Sequence, residues 1–206
     1  MKVSVIMPSY LGEYEGASKD REEKLKRAIN TFIAQEDVEK ELIVVSDGCL
    51  KTTMICEKYN SKAVEIKVVK MEKQPLFSGN VRSEGIKHAT GDIICYLDSD
   101  DMFGVRHLES IVSQFKENDY DWCYYNDTVK TSQGLMLRTV DVSEGYIGTS
   151  SIAHKNIKDL NWNNCDGYGH DWTFVQKLLN YSKNYGRIYG TTYIVCHIPN
   201  LVDDKL

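Results

Sequence analysis

The chain has 206 residues, 42% of them hydrophobic and 27% charged, near the average of soluble globular proteins, which excludes a disordered, collagenous or fibrous chain. At this length a single compact domain buries roughly 70% of its extended-chain surface. Thirty acidic residues against 25 basic ones give a formal net charge of -5, so there is no long-range attraction toward phosphate backbones or anionic lipid.

No run approaches the ~18 to 20 apolar residues that cross a bilayer, and Met1 to Pro8 is too short and too soon broken for a signal peptide. A cytoplasmic location is expected. Cys49, Cys56, Cys95, Cys123, Cys165 and Cys196 show no Cys-x-x-Cys pair and no zinc spacing, so they read as reduced and structural.

In chain order, Lys2 to Met7 is a β-branched apolar run stopped by Pro8 and reads as a buried strand. A polar loop, Leu11 to Asp20, follows. Leu25, Ala28, Ile29, Phe32 and Ile33 then fall on one face of a helix from about Arg21 to Gln35. Glu41 to Val45 gives a second strand ending in Ser46-Asp47-Gly48, followed by a helix over Thr52 to Tyr59. Ala63 to Met71 reads as a third strand, Val81 to Ala89 as a helix, and Asp92 to Leu97 as a fourth strand running into Asp98-Ser99-Asp100-Asp101. Leu108, Ile111, Val112 and Phe115 mark another helix.

Alternating strands and helices imply an α/β fold with a mainly parallel sheet, helices on both faces and ligands beyond the C-terminal strand ends. The second half differs in texture, with strands over Asp121 to Val129 and Leu135 to Val142, a helix over Trp172 to Leu179 and a last strand over Tyr193 to His197. No repeat or linker divides the chain, so residues 1–206 read as one domain with two lobes, 1–117 and 118–206.

Three polar turns should therefore converge: Pro8-Ser9-Tyr10, Ser46-Asp47-Gly48 and Asp98-Ser99-Asp100-Asp101. Three carboxylates within four residues repel one another, a conflict that a hard divalent ion such as Mg2+ or Mn2+ would relieve. A solvated turn with a helix N-cap is the alternative. An EF-hand would need glycine where Phe103 stands. Neither Gly-x-Gly-x-x-Gly nor the P-loop pattern follows the first strand.

Together, Val3 to Tyr10, Leu42 to Gly48, Val81-Arg82-Ser83-Glu84-Gly85-Ile86 with Ala89-Thr90-Gly91-Asp92, and Tyr96 to Asp101 resemble the family 2 glycosyltransferases of GT-A fold, in order and spacing. Thr149 to His154, Gly169-His170-Asp171-Trp172 and Tyr193 to Val202 extend the resemblance, with His170 in place of the first acid of the family's Glu-Asp motif. The resemblance implies an inverting transfer of a sugar from a nucleotide-diphosphate sugar to an acceptor hydroxyl, with a Mn2+ or Mg2+ ion. It makes 1–117 the nucleotide-sugar-binding half and 118–206 the smaller, mixed acceptor-side half.

By the same resemblance, Pro8, Tyr10, Asp47, Arg82 and Asp98 would bind the nucleotide, with Asp47 accepting from uracil N3–H and Tyr10 stacking on the base. Asp100, Asp98 and His197 would hold the metal. Asp101 and His170 would support the site, and Asp171 would be the general base. Tyr10 and Arg82 also read as surface residues, Asp171 as a plain N-cap, and His154 and His197 as structural histidines. His88 and His107 read as helix-surface residues. A nucleotidyltransferase would want a basic glycine-rich loop after strand one, which Leu11 to Gly16 does not offer, and a non-catalytic nucleotide-sugar-binding protein would not need the intact acids. The acceptor stays open among a saccharide, a lipid-linked intermediate, a protein and a modified nucleobase. Lys58, Lys62, Lys67, Lys70 and Lys73, interleaved with Glu65 and Glu72, read as a solvated face before a nucleic-acid patch.

Overall fold

A computed structural model of the chain describes residues 1–59, 64–75, 77–165, 167 and 169–196. The elements are β1 (Val3–Ser9), α1 (Arg21–Ile33), β2 (Lys40–Asp47), α2 (Leu50–Cys56), β3 (Glu65–Met71), α3 (Gly79–Lys87), β4 (Ile93–Tyr96), β5 (Met102–Phe103), α4 (His107–Asn118), β6 (Trp122–Tyr124), β7 (Asp127–Thr131), β8 (Gly134–Arg138), β9 (Ile152–Lys155), α5 (His170–Tyr181), β10 (Tyr185–Arg187) and β11 (Tyr193–Val195). Seven strands form one sheet in the order β10-β6-β9-β4-β1-β2-β3, and four form a second, β5-β11-β7-β8. In the large sheet β3, β2, β1 and β4 are parallel, while β9 runs antiparallel to β4 and β6.

Side chains alternate across the central strands, and each face is closed by its own helices. Val5, Met7, Leu42 and Val44 pack with Leu25, Ile29 and Phe32 of α1 and Leu108, Ile111 and Phe115 of α4. Ile6, Ile43, Val45, Ile94 and Tyr96 pack with Val81 of α3 and Phe174, Val175 and Leu178 of α5. On α3, Gly85 lies where a Cβ would come within 2.5 Å of the Ile6 side chain, so the helix rests directly on the sheet.

β1 continues through Pro8 to Ser9, past the expected stop. β4 pairs with β1 only as far as Ile6, so Pro8 runs beside β2 alone and sits where an edge position tolerates it. The stretch expected as one strand over Asp121 to Val129 divides between the two sheets, β6 joining the large one and β7 the small one. β5, β9 and β10 were not among the expected strands.

His107 and His154 are both buried. The His107 ring stacks on Phe103 at 4.4 Å, correcting its reading as a surface residue, and burial pulls its pKa down to about 3. His154 lies in the core, where Nε2 accepts from the Tyr96 hydroxyl at 2.7 Å and Nδ1–H donates to the Lys155 carbonyl. The six cysteines are free thiols, five of them buried. No helix among the described residues is long and apolar enough to cross a membrane.

At the N-terminal ends of the parallel strands lies a fully buried carboxylate, Glu41. It accepts from Ser4 Oγ of β1 at 2.6 Å, from the Thr90 N–H before β4 at 2.6 Å, and from Lys67 Nζ of β3 at 2.7 Å. Burial alone would raise its pKa, but the hydrogen bonds from Lys67, Ser4 and Thr90 outweigh it and bring the value from 4.5 down to about 2. A depressed carboxylate stabilises the fold above its unfolded pKa and loses that contribution as pH falls through the folded value. Glu41→Gln is expected to cost about 3 kcal/mol at neutral pH. Denaturant unfolding followed by circular dichroism should show the gap between variant and wild type closing as pH falls from 4.5 toward 2.

Candidate functional site

The C-terminal ends of β1, β2, β3 and β4 open on one cleft of about 1530 Å3. Of the expected site residues described, Pro8, Tyr10, Asp47, Arg82, Asp98, Asp100, Asp101, His170 and Asp171 all line it. His197 lies outside the described residues. The loop after β1 contributes Glu13, Tyr14, Glu15 and Gly16 to the wall. Arg21 holds that loop through Gly12 O and Glu13.

At one end of the cleft Asp47 terminates β2. Its Oδ1 accepts the Gln74 N–H at 2.6 Å and its Oδ2 accepts from Lys73 Nζ at 2.7 Å. The Lys73 ammonium also lies 4.4 Å from the Tyr10 ring centroid. Gly48 makes this approach possible: its φ is +64°, its N–H donates to Met71 O, and a Cβ there would come within 2.7 Å of the Lys73 backbone. Lys73 thus belongs to the site and not to a solvated lysine face, whereas Lys67 pairs with Glu41 and Lys70 with Glu57. The turn rule that found the other residues, a polar segment just past a parallel strand, also points to Lys73 after β3.

In the middle, the turn 98–101 is closed by the Asp101 N–H on Asp98 O. Asp98 Oδ1 accepts from Arg82 Nη2 at 2.7 Å. Arg82 is only 2% exposed, too buried for a helix-surface charge, and its guanidinium lies 5.1 Å from the Trp162 ring. Burial opposes its charge, but Asp98 and Asp171 hold its pKa above the ordinary value. Ser83, beside it, accepts the Trp162 N–H.

Asp101 faces inward. Its Oδ1 accepts the Cys196 N–H at 2.7 Å and its Oδ2 accepts from the Tyr193 hydroxyl at 2.9 Å, which itself accepts the Asp98 N–H. Burial, then Asp100 and Asp98, push its pKa well above the carboxylate range. Tyr193, not singled out from the sequence, thus braces the acidic turn from β11.

Asp98 and Asp100 also line the cleft. No three acidic, histidine or cysteine side chains converge among the described residues. Two carboxylates nevertheless suit a hard divalent ion that takes its other ligands from phosphate oxygens and water.

At the far end, Asp171 lies in the first turn of α5. Thr149 donates its hydroxyl to Oδ1, and His170 Nε2 lies 3.2 Å from the same oxygen. His170 Nδ1 lies 2.8 Å from Gly167 O, and its Nε2 lies 3.5 Å from Arg82 Nη1, so the ring stands between the buried arginine and Asp171. Gly148 lies beside Oδ2, where a Cβ would sit at an ordinary contact distance of 3.4 Å. Across the cleft, Arg138 pairs with buried Asp127, whose carboxylate also accepts from Ser150 and Ser151.

The chain is similar to known glycosyltransferases. Poly(ribitol-phosphate) beta-N-acetylglucosaminyltransferase TarP of Staphylococcus aureus is 30% identical over 58% of the chain and 35% of its own length. Minor teichoic acid biosynthesis protein GgaB of Bacillus subtilis is 32% identical over 92% of the chain and 22% of its own length. The chain thus spans well under two thirds of these relatives. Among solved structures, S. aureus TarS 1-349 in complex with UDP superposes with a TM-score of 0.77 over 95% of this chain and 60% of that one, at 20% identity. Mannosyltransferase PcManGT of Pyrobaculum calidifontis, in complex with GDP-Man and Mn2+, gives 0.67 over 97% and 58%, at 13% identity. The fold is therefore GT-A. The family model described as Glycosyl transferase family 2 matches residues 4–187, and the chain belongs to that family.

Proposed function

We propose that the chain is an inverting, divalent-metal-dependent glycosyltransferase that moves a hexosyl or pentosyl group from a UDP-sugar to an acceptor hydroxyl. The observation that carries this reading is the run of groups in one cleft: Tyr10 with Asp47 and Lys73, the Asp98–Asp101 turn, and then, through Arg82, His170 and Asp171. That order matches a donor laid base first, diphosphate next and sugar last, with the acceptor beyond it. The UDP and UDP-GlcNAc complexes of TarS and the GDP-Man and Mn2+ complex of PcManGT support a nucleotide-sugar donor and a metal.

Asp98 and Asp100 would hold Mn2+ or Mg2+, which when bound neutralises charge developing on the leaving diphosphate. Arg82 fixes Asp98, and Tyr193 with Asp101 fixes the turn carrying both acids. Asp171 takes the acceptor hydroxyl proton at Oδ2 while the acceptor oxygen attacks the anomeric carbon. The anomeric carbon–oxygen bond to the diphosphate breaks in the same displacement, inverting the centre. The Thr149 hydroxyl on Oδ1 holds the carboxylate in one orientation for that transfer. Arg82, placed between Asp98 and His170, adds fixed positive charge on the diphosphate side. Free thiols at all six cysteines fit a reducing compartment, and we place the reaction in the cytoplasm.

Asp100→Asn is expected to abolish Mn2+-dependent UDP binding in calorimetric titration while leaving the unfolding midpoint close to wild type. Retained metal-dependent affinity would overturn the metal assignment. Asp171→Asn should bind UDP as the wild type does and lose about 10²- to 10⁴-fold in transfer rate, the usual contribution of a general base. Near wild-type turnover would place the base elsewhere.

A further inference from the structure

We propose that Arg27, on α1 and outside the cleft, is a positioning residue for the divalent ion, holding the Asp100 main chain so that the Asp100 carboxylate is set to meet the metal. The proposal rests on the metal reading above, in which Asp98 and Asp100 are the ligands. Arg27 and Thr31 lie one turn apart on α1, and Gln35 follows just past its end. All three grip the main chain that leads out of the acidic turn. Arg27 Nη2 donates to Asp100 O at 2.7 Å, and Thr31 Oγ1 accepts the Phe103 N–H at 3.2 Å. Gln35 donates through Nε2 to Gly104 O at 2.9 Å and accepts the Leu108 N–H through Oε1 at 3.1 Å. Of the three, Arg27 reaches the turn itself.

The turn is thereby held from both helical layers. Arg82 of α3 binds the Asp98 carboxylate from one face of the sheet, and Arg27 of α1 binds the Asp100 carbonyl from the other. The Arg27 Nε–H is buried with no acceptor among the described residues. A guanidinium placed only to pair its own donors would not leave one orphaned, and what this placement secures is the Asp100 carbonyl. Arg27 lines a separate hollow with Glu23, Lys26 and Asn30 and is not part of the cleft wall, so it acts on a bound ion through Asp100. Its charge has the sign of the metal's. A purely electrostatic Arg27 would therefore oppose the ion, and its removal would tighten metal binding. A positioning Arg27 predicts the opposite, because an ion held by two carboxylates depends on how those ligands are oriented.

The test is calorimetric titration of UDP into wild type, Arg27→Met and Arg27→Lys over a series of Mn2+ concentrations, with the metal-free UDP affinity and the unfolding midpoint measured alongside. Arg27→Met is expected to need about 10- to 100-fold more Mn2+ for half-maximal UDP binding, the usual cost of losing a group that orients a metal ligand. Its metal-free UDP affinity should stay at the wild-type value. Arg27→Lys keeps a cationic donor but not the rigid fork, so its Mn2+ requirement should fall between the two. An unchanged or lowered Mn2+ requirement in Arg27→Met would overturn the positioning role, as would an equal loss of metal-free and metal-dependent UDP binding. Should Arg27→Met not fold, a wild-type Mn2+ requirement in Arg27→Lys would overturn it instead. Wild-type UDP binding that ignores Mn2+ would overturn the metal reading, and this proposal with it.

Discussion

The geometry of the cleft depends on one buried carboxylate at the opposite end of the sheet. Glu41 joins β1, β3 and the approach to β4 through Ser4, Lys67 and Thr90, so the parallel strands start from a common level. Strands that start in register finish in register, since each rises about 3.3 Å per residue. Tyr10, Asp47, Lys73 and Asp98 then arrive at one rim. A buried charge is costly unless its hydrogen-bonding capacity is filled, and here three kinds of donor fill it.

At the functional rim four acids are held by four different devices. Asp47 has a lysine and a backbone N–H, Asp98 has a buried arginine, Asp101 has a tyrosine hydroxyl and a backbone N–H, and Asp171 has a threonine hydroxyl. Burial raises the Asp101 pKa most, and repulsion from Asp100 and Asp98 adds to it. Arg82 lies where the two halves of the cleft meet, touching Asp98 on one side and His170 on the other.

Much of this was legible in the sequence. The 3.6-residue spacing of Leu25, Ala28, Ile29 and Phe32 gave the buried face of α1, and continuous apolar runs gave β1, β2 and β4, because strands covered on both faces leave no room for polar residues. The acidic turn stood out because four polar residues ended an apolar run. In the small sheet β7, β8 and β11 overlap expected strands, but β5 has two residues, too few for any period to show, and it pairs with β11 some ninety residues away. The division of β6 from β7 turns on which partner each meets, which no local pattern encodes. Glu41, His107 and Tyr193 look like ordinary polar or aromatic residues in the sequence, and their roles come wholly from what folds onto them.

β4 has a further consequence for how the chain is made. Its second neighbour is β9, which runs antiparallel to it and is followed outward by β6 and β10. During synthesis from the N-terminus, β1, β2, β3 and β4 emerge first, and Ile93, Ile94 and Cys95 then present an open, apolar sheet edge until Ala153, His154 and Lys155 arrive. A fragment ending near residue 117 would keep that edge exposed, and an exposed apolar edge is a template for pairing with other chains. The nascent protein is thus exposed to aggregation over the interval in which the ribosome is making the residues between β4 and β9.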